Sequence, residues 1–178
     1  MSQNTFQVAK GRYDAAKLEA RRTAVLTLEG AKVIPSGTHA QHWARKSLNA
    51  FNDQWVKSGR RVDWDWPEIF RRHASTLDAL DVAIWTADDR LAALSLMTTT
   101  GDAVCIAMIE GDPRADCPLS GKRLTICMEV AAVYAQRLGK PALRAYPKTE
   151  SVAKLLVDGF GFTLVSPRKE DPYYRREV

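Results

Sequence analysis

The sequence predicts a mixed α/β fold, built on a mostly antiparallel sheet of six to seven strands with about four flanking helices. Three strand candidates follow one another closely between residues 80 and 109, joined by turns that are too short for parallel neighbours. A strand–helix–strand order over residues 103–146 then indicates a parallel crossover. The helix of that unit is apolar on most of its surface, which is typical of a helix packed deep against a sheet.

Length and composition favour one domain with its own core. The chain has 178 residues, of which 46% are hydrophobic, and a formal net charge of +5. That charge suits an anionic partner, but Lys and Arg alternate with Asp and Glu and do not form the run typical of a nucleic-acid-binding tail. We expect a single domain over residues 23–178, preceded by a polar lead-in over residues 1–22 that is either helical or disordered.

The cysteines and histidines do not predict a metal site. No pair of cysteines has metal-ligand spacing, and His39 and His42 lack a third ligand. Cys105 and Cys127 lie in apolar patterns and are interpreted as core residues. No apolar run is long enough to cross a membrane, and the N-terminus lacks the apolar centre of a signal peptide. A cytoplasmic protein without a membrane partner is therefore expected.

In the N-terminal half, the pattern predicts one strand followed by two helices. Residues 24–34 alternate apolar and polar side chains, which is typical of a strand or a hairpin. Apolar side chains at helical spacing predict an amphipathic helix over residues 38–57. A second helix is predicted over about 66–76, because Asp65 and Glu68 have capping-box spacing.

The C-terminal half contains the meander and the crossover. Gly139 is expected to end the long apolar helix, since glycine readily adopts the left-handed conformation of a helix C-cap. The segment at 172–178 is predicted as a last strand at the edge of the sheet. The other predicted elements are, in chain order, strands at 80–85, 90–100 and 103–109, the helix ending at 139, a strand at 142–146, a helix at 149–161 and a strand at 162–166.

The segment SGKRLT, residues 120–125, begins like a phosphate-binding loop before a helix. A helix N-terminus offers unpaired N–H groups and about half a positive charge, which suits a pyrophosphate. Gly121 would allow close approach of the backbone, and Lys122 and Arg114 would add positive charge. A purely structural loop before a buried helix shows the same features, so both interpretations stay open here.

The order of elements, with the residues at 109–139 and 149–162, resembles the GNAT acetyltransferase superfamily. The match in element order covers residues 24–178, and its motifs lie in the C-terminal half. In that family the loop entering the central helix binds the pyrophosphate of acetyl-coenzyme A, and the pantetheine arm lies between two splayed parallel strands. The resemblance implies a GNAT-like acetyltransferase domain over 23–178 that uses acetyl-CoA as cosubstrate and no metal.

The sequence departs from the family pattern at several positions. SGKRLT stands where the family writes Gln or Arg, two variable residues, Gly, one variable residue, and Gly or Ala, so Ser120, Arg123 and Thr125 differ from it. The segment 151–162 resembles the second family signature, a helix ending in Gly-Phe. The frequent catalytic Tyr of that helix falls at Val157. Whether the altered loop supports catalysis is open at this point.

The resemblance assigns roles to a small set of residues. Glu110, at the end of a strand beside the expected thioester, would act as general base, with a solvated surface carboxylate as the alternative. Trp64, Asp65 and Trp66 lie where the family often shapes its acceptor site, with simple aromatic packing as the alternative. The expected coenzyme A contacts are Ile109, Ser120, Gly121, Lys122, Arg123, Leu124 and Thr125.

The implied function is transfer of an acetyl group from acetyl-CoA to an amine of a small molecule or a protein, by direct attack in a ternary complex. Tyr173 and Tyr174 are candidates for the missing phenol. Two alternatives remain: a catalytically degenerate module that binds acyl-CoA or serves a structural role, and a protein that binds or acetylates RNA. The expected state is a monomer or a homodimer, and the acceptor is not identified by the sequence.

Overall fold

The computed structural model describes residues 3–178, and within them five helices surround one seven-stranded sheet. The helices are α1 (Gln3–Gly30), α2 (Arg45–Gln54), α3 (Trp66–His73), α4 (Arg123–Leu138) and α5 (Glu150–Phe160). The strands are β1 (His39–Gln41), β2 (Leu80–Trp85), β3 (Leu91–Thr99), β4 (Ala103–Gly111), β5 (Ala142–Ala145), β6 (Thr163–Val165) and β7 (Tyr173–Glu177). The predicted mixed α/β class is confirmed.

The sheet has the strand order β1-β2-β3-β4-β5-β7-β6. β4 and β5 are parallel, and the other pairs of described strands are antiparallel. The predicted meander β2–β3–β4 and the crossover β4–α4–β5 are both confirmed. The last strand is not at the edge as predicted, because β7 pairs with β5 on one side and β6 on the other. Pairing on both sides satisfies more of its backbone groups than an edge position would.

The predicted strand at 24–34 is wrong, because the chain is helical from Gln3 to Gly30. α1 packs against α4 and continues across the predicted boundary between residues 22 and 23. Residues 1 and 2 of the predicted lead-in lie outside the described part of the chain. Neither α1 nor any other described helix is long and apolar enough to span a membrane. The buried apolar residues of α1 fall at helical spacing: Ala16, Ala20, Ala24, Val25 and Leu28.

The two helices predicted after the first strand are present with altered limits. The helix expected over 38–57 starts only at Arg45, because residues 39–41 pair with β2 as strand β1. The start of α3 is confirmed: the Asp65 side chain accepts a hydrogen bond from the backbone N–H of Glu68 at 3.0 Å. This contact satisfies one of the unpaired N–H groups of the first helical turn.

Two hydrophobic cores lie on opposite faces of the sheet. Successive residues of β2 alternate between them, with Val82 in one core and Ala83 in the other. α1 and α4 cover one face, while α2 and α3 cover the face that holds Trp43, Trp55 and Trp66. β4 lies in the middle of the sheet and contributes to both cores, so groups at its end are reached from either face.

Candidate functional site

The parallel strands β4 and β5 separate at one end. They pair only as far as Ile106 and Ala145, whereas β4 continues to Gly111. The register between β3 and β4 also shifts here, which makes Ala107 an extra residue in β4. A bulge of this kind leaves backbone groups outside the regular ladder. The backbone of β4 is therefore available to a ligand where the two strands diverge.

A narrow cavity of about 120 Å³ lies at this separation. Most of its wall is apolar, as in typical small-molecule sites. Three residues predicted to contact coenzyme A or the acceptor line it, namely Ile109, Leu124 and Trp64. The wall is formed by Ile106–Ile109 of β4, Leu124 and Met128 of α4, Val152 and Leu156 of α5, the segment Ala145–Thr149, and Val62 and Trp64 from the link between α2 and α3.

Helix α4 begins beside this cavity with unpaired backbone donors. Within the described residues, the N–H groups of Gly121, Arg123, Leu124 and Thr125 have no hydrogen-bond partner. Gly121 has a φ of +78° and open space around the position of a Cβ, so the loop keeps the one glycine that its backbone conformation favours. Lys122 occupies the N-cap without a capping side chain. This geometry can bind an anion.

Arg123 stands in place of a family glycine and places a guanidinium at the end of β4. Its side chain lies so close to Gly111 that a Cβ there would be 2.3 Å from its Nη1. Its Nε and Nη2 atoms are buried and have no partner within the described part of the chain. Buried donors without acceptors are costly, and guanidinium geometry matches phosphate oxygens. Arg123 thus fits a negatively charged ligand at the N-terminus of α4.

The loop between β4 and α4 is held by a separate charge cluster. Arg90 donates to Asp112 at 2.7 Å and to Asp116 at 2.7 Å. Arg114, expected to add charge beside Lys122, instead donates to Asp112 at 2.8 Å. Burial by itself would raise the pKa of Asp112, but the hydrogen bonds from Arg114 and Arg90 hold that pKa below its usual value. The charge of Arg114 is thus largely used inside the protein.

Glu110 is a buried residue of β4 with an exposed fraction of 5%, so the surface-carboxylate alternative is excluded. Arg60 donates through Nε to Oε1 at 2.6 Å and through Nη2 to Oε2 at 2.7 Å. The indole N–H of Trp66 donates to Oε2 at 2.6 Å. A carboxylate has about four acceptor positions, and three are filled here. The position left for a proton is on Oε1.

The three predicted acceptor-site residues have different surroundings. Trp64 lines the cavity, and its indole N–H is buried without a partner among the described residues. Asp65 caps α3, and Trp66 is 1% exposed and donates to Glu110. Arg60 also donates to the backbone oxygen of Trp64 at 2.7 Å. Arg60 thereby fastens the link to β4, and Trp64 is the member of the three that faces the cavity.

The sequence prediction did not include Tyr146, which lines the cavity directly after β5. Burial raises the pKa of its phenol, so the group keeps its proton at neutral pH. Val157, where the family pattern places a tyrosine, is exposed on α5 and is not part of the cavity wall. Tyr173 is buried with Arg144 over its ring at 4.4 Å. The signal for Tyr146 was its position at the end of the strand that follows the crossover.

The three cysteines are free and buried. Burial raises the pKa of Cys127 to about 12 and also raises the pKa of Cys105. A thiol with a raised pKa carries little thiolate, the nucleophilic form, at neutral pH. The described residues contain no group of three metal-ligating side chains placed to hold a metal ion. These side chains therefore give no support to an acyl-cysteine route.

The sequence and the fold were compared with those of known proteins. No family model and no curated protein matches the sequence. Several solved structures match over nearly their whole length. The PaiA N-acetyltransferase of Thermoplasma acidophilum, in complex with coenzyme A, aligns with a TM-score of 0.55 at 15% identity, covering 79% of this chain and 99% of that one. The ribosomal-protein-S18-alanine N-acetyltransferase of Escherichia coli aligns with a TM-score of 0.57 at 13% identity, covering 79% and 92%.

A third match is SpeG, a spermidine N-acetyltransferase of Vibrio cholerae, with a TM-score of 0.55 at 12% identity over 81% of this chain and 94% of that one. The chain has the GNAT fold. The resemblance inferred from the sequence is therefore confirmed for the fold. In the GNAT fold, β4 and β5 correspond to the splayed parallel pair, and α4 corresponds to the helix between them.

Proposed function

We propose that the protein is an acetyl-CoA-dependent N-acetyltransferase that acts on an amine of a small molecule or a protein. One observation carries the proposal: the bulge at Ala107 and the unpaired donors at the start of α4 border the same cavity. Similar structures include enzymes named for spermidine and for an alanine of a ribosomal protein, which supports an amine acceptor. We further expect a cytoplasmic location, because free thiols persist in a reducing compartment.

The residues present fit coenzyme A in three respects. The backbone N–H groups at 121–125 would bind the pyrophosphate, with Arg123 and Lys122 supplying positive charge. The backbone at Ala107 would bind an amide of the pantetheine arm outside the regular ladder. Ile109 and Leu124 would cover that arm with apolar surface.

Acetyl-CoA, when bound, supplies a thioester whose carbonyl carbon an unprotonated amine can attack. Transfer forms an amide bond and breaks the carbon–sulfur bond, while the amine loses one proton and the departing thiolate gains one. The indole N–H of Trp64, which has no partner among the described residues, would donate a hydrogen bond to an oxygen atom of a ligand in the cavity. Tyr146, whose phenol carries its proton at neutral pH, would give a proton to the thiolate. No acyl-cysteine step is needed.

Glu110 remains our candidate for the general base. Its free acceptor position on Oε1 would take the proton of the amine through a water, because Glu110 does not itself line the cavity. The hydrogen bonds from Arg60 and Trp66 hold the carboxylate in one orientation. The same contacts anchor the link that carries Trp64, so Glu110 would serve both the proton transfer and the acceptor side of the cavity.

Calorimetric titration with acetyl-CoA tests the binding part of this proposal. We expect saturable binding at low salt, and a loss of at least about tenfold in affinity when Lys122 and Arg123 are both changed to Glu, because two favourable charges become repulsive. The matched control changes Arg12 and Arg22, two exposed residues of α1, to Glu. It alters the net charge equally and should leave the affinity unchanged.

Acetylation of an amine panel, followed with labelled acetyl-CoA, tests the chemistry. Binding with transfer to at least one amine is the expected result. Binding without transfer to any amine or lysate protein would favour the catalytically degenerate alternative. If the parent protein does not bind acetyl-CoA, the enzyme proposal is wrong. RNA binding that falls steeply with salt would favour the third alternative.

A further inference from the structure

A second and larger cavity lies away from the separated strands. Its volume is about 420 Å³, which lies in the range of small-molecule sites, and none of its lining residues belongs to the first cavity. It opens beside β2, in the space left where the three-residue strand β1 ends, between α1 and α3. Its wall includes Asp14, Lys17 and Arg21 of α1, His42 and Trp43 after β1, and Phe70 of α3.

The two carboxylates of this cavity already have cationic partners. Arg21 donates to the Asp81 side chain at 2.8 Å and to the Asp81 backbone oxygen at 2.9 Å. The second carboxylate oxygen of Asp81 accepts from the backbone N–H of Trp43. Asp14 pairs with Lys10 at 2.6 Å. The negative charge of the cavity wall is therefore neutralised within the protein.

The remaining ionisable groups on the wall are basic. Lys17 is partly buried, and its ammonium has no hydrogen bond or ion pair within the described residues. Burial lowers the pKa of Lys17 more than the neighbouring charges of Asp81 and Asp14 raise it. The imidazoles of His42 and His73 lie on the same wall and likewise have no hydrogen bond there. An anion would supply a partner for the ammonium of Lys17.

The opposite part of the wall is aromatic. Trp43 and Phe70 stack with ring centroids 6.1 Å apart, and Trp43 is held in place by donating its indole N–H to the backbone oxygen of Val82 at 3.1 Å. Leu96 adds aliphatic surface. The apolar part of a small molecule could pack on these side chains while a charged group at its other end reached Lys17.

We propose that this cavity, bounded by α1, α3 and β2, binds a small organic anion, in which a carboxylate or phosphate meets Lys17 and an apolar body packs on Trp43 and Phe70. The site is independent of the proposed acetyl transfer. An occupant would lie one strand away from the first cavity, because Leu96 pairs with Met108 of β4, and Met108 lines the first cavity.

Calorimetric titration of the full chain with benzoate, phenyl phosphate and inorganic phosphate tests this proposal. We expect at least one organic anion to bind, and inorganic phosphate to bind at least about tenfold more weakly than phenyl phosphate, because it lacks the apolar body. Comparing benzoate with phenyl phosphate identifies the preferred charged group. Binding should persist at saturating acetyl-CoA, since the two cavities have separate walls.

Matched variants locate the binding. Lys17→Gln removes the unpaired charge and should weaken the organic anion at least about tenfold. Arg22→Gln removes the same net charge from an exposed position on α1 and should leave affinity unchanged. Thermal unfolding checks that both variants fold. His73→Ala tests whether a second residue of the cavity wall contributes to binding. Absence of binding to the parent, equal weakening by both α1 variants, or displacement by acetyl-CoA would each overturn the proposal.

Discussion

Two charged groups at the end of β4 differ in how the protein satisfies them. The carboxylate of Glu110 receives three hydrogen bonds from Arg60 and Trp66. The guanidinium of Arg123, packed on the neighbouring Gly111, has two buried nitrogen atoms without any acceptor in the described chain. The fold therefore completes the first group, whereas the second has no partner among the described residues, and in our proposal the ligand supplies one.

The same difference separates Trp64, in the link between α2 and α3, from Trp66, the first residue of α3. Trp66 is fully buried, and its indole N–H is paired with Glu110. Trp64 lines the cavity, and its buried indole N–H has no partner in the described part of the chain. Unpaired donors thus lie on both sides of the separated strands, while the paired groups lie between the link and β4. We infer that the paired groups hold the site together, with one position on Oε1 of Glu110 left open for proton transfer, and that the unpaired groups bind the ligands.

The largest expected effect comes from removing the ion pair between Arg60 and Glu110. Arg60→Met leaves the Glu110 carboxylate buried without its cation, and should lower the free energy of unfolding by about 3 kcal/mol. Chemical denaturation measures this change. Arg61→Met alters an exposed neighbour and should stay within about 0.5 kcal/mol of the parent. Equal stability of the two variants would show that the pair with Glu110 does not hold the link.

A second change separates anchoring from proton transfer. Glu110→Gln keeps the shape of the side chain and removes the charge, and turnover should fall at least about a hundredfold if Glu110 is the base. Acetyl-CoA affinity should persist, because the residue does not line the cavity. Rates measured across pH check the assignment: the acidic limb of the parent profile should disappear in the variant.

The outcome against this assignment is equally clear. If Glu110→Gln keeps the acidic limb and loses turnover only in proportion to Arg60→Met, Glu110 is a positioning residue. The base would then be Asp65, Asp116 or the deprotonated amine of the acceptor itself. Asp65 is occupied as the cap of α3, and Asp116 is paired with Arg90, so neither is free in this structure.

The smallest expected effect is on acetyl-CoA affinity, and it comes from changing the basic residues at the start of α4. Arg123→Met should lower acetyl-CoA affinity about tenfold, because charge-assisted hydrogen bonds to the pyrophosphate are lost. Its thermal stability should not fall, since the removed guanidinium atoms have no partner among residues 3–178. Lys122→Met, at the neighbouring position, should weaken binding less, because a lysine is a flexible point charge. Calorimetry compares the acetyl-CoA affinity of the two variants. Equal losses of affinity would mean that the guanidinium of Arg123 contributes no more than a point charge.

The sequence by itself determined the elements whose signals are local. The meander, the crossover helix and the caps at Asp65 and Gly139 depend on turn lengths, on hydrophobic periods and on glycine conformation, all of which act within a few neighbouring residues. The strand predicted at 24–34 failed for the same reason. Its window was too short to show that Ala16 and Ala20 continue the buried face of a helix.

Only the tertiary structure decided how the site is completed. Glu110 could be placed near the site from the order of elements, but its partner Arg60 lies 50 positions away in the chain. Tyr146 entered the site because β5 ends where β4 continues, and β7 lies between β5 and β6 through pairings that no local pattern encodes. Hydrogen bonds and strand pairs join atoms that are close in space, whereas periodicity reports the neighbours of a residue along the chain.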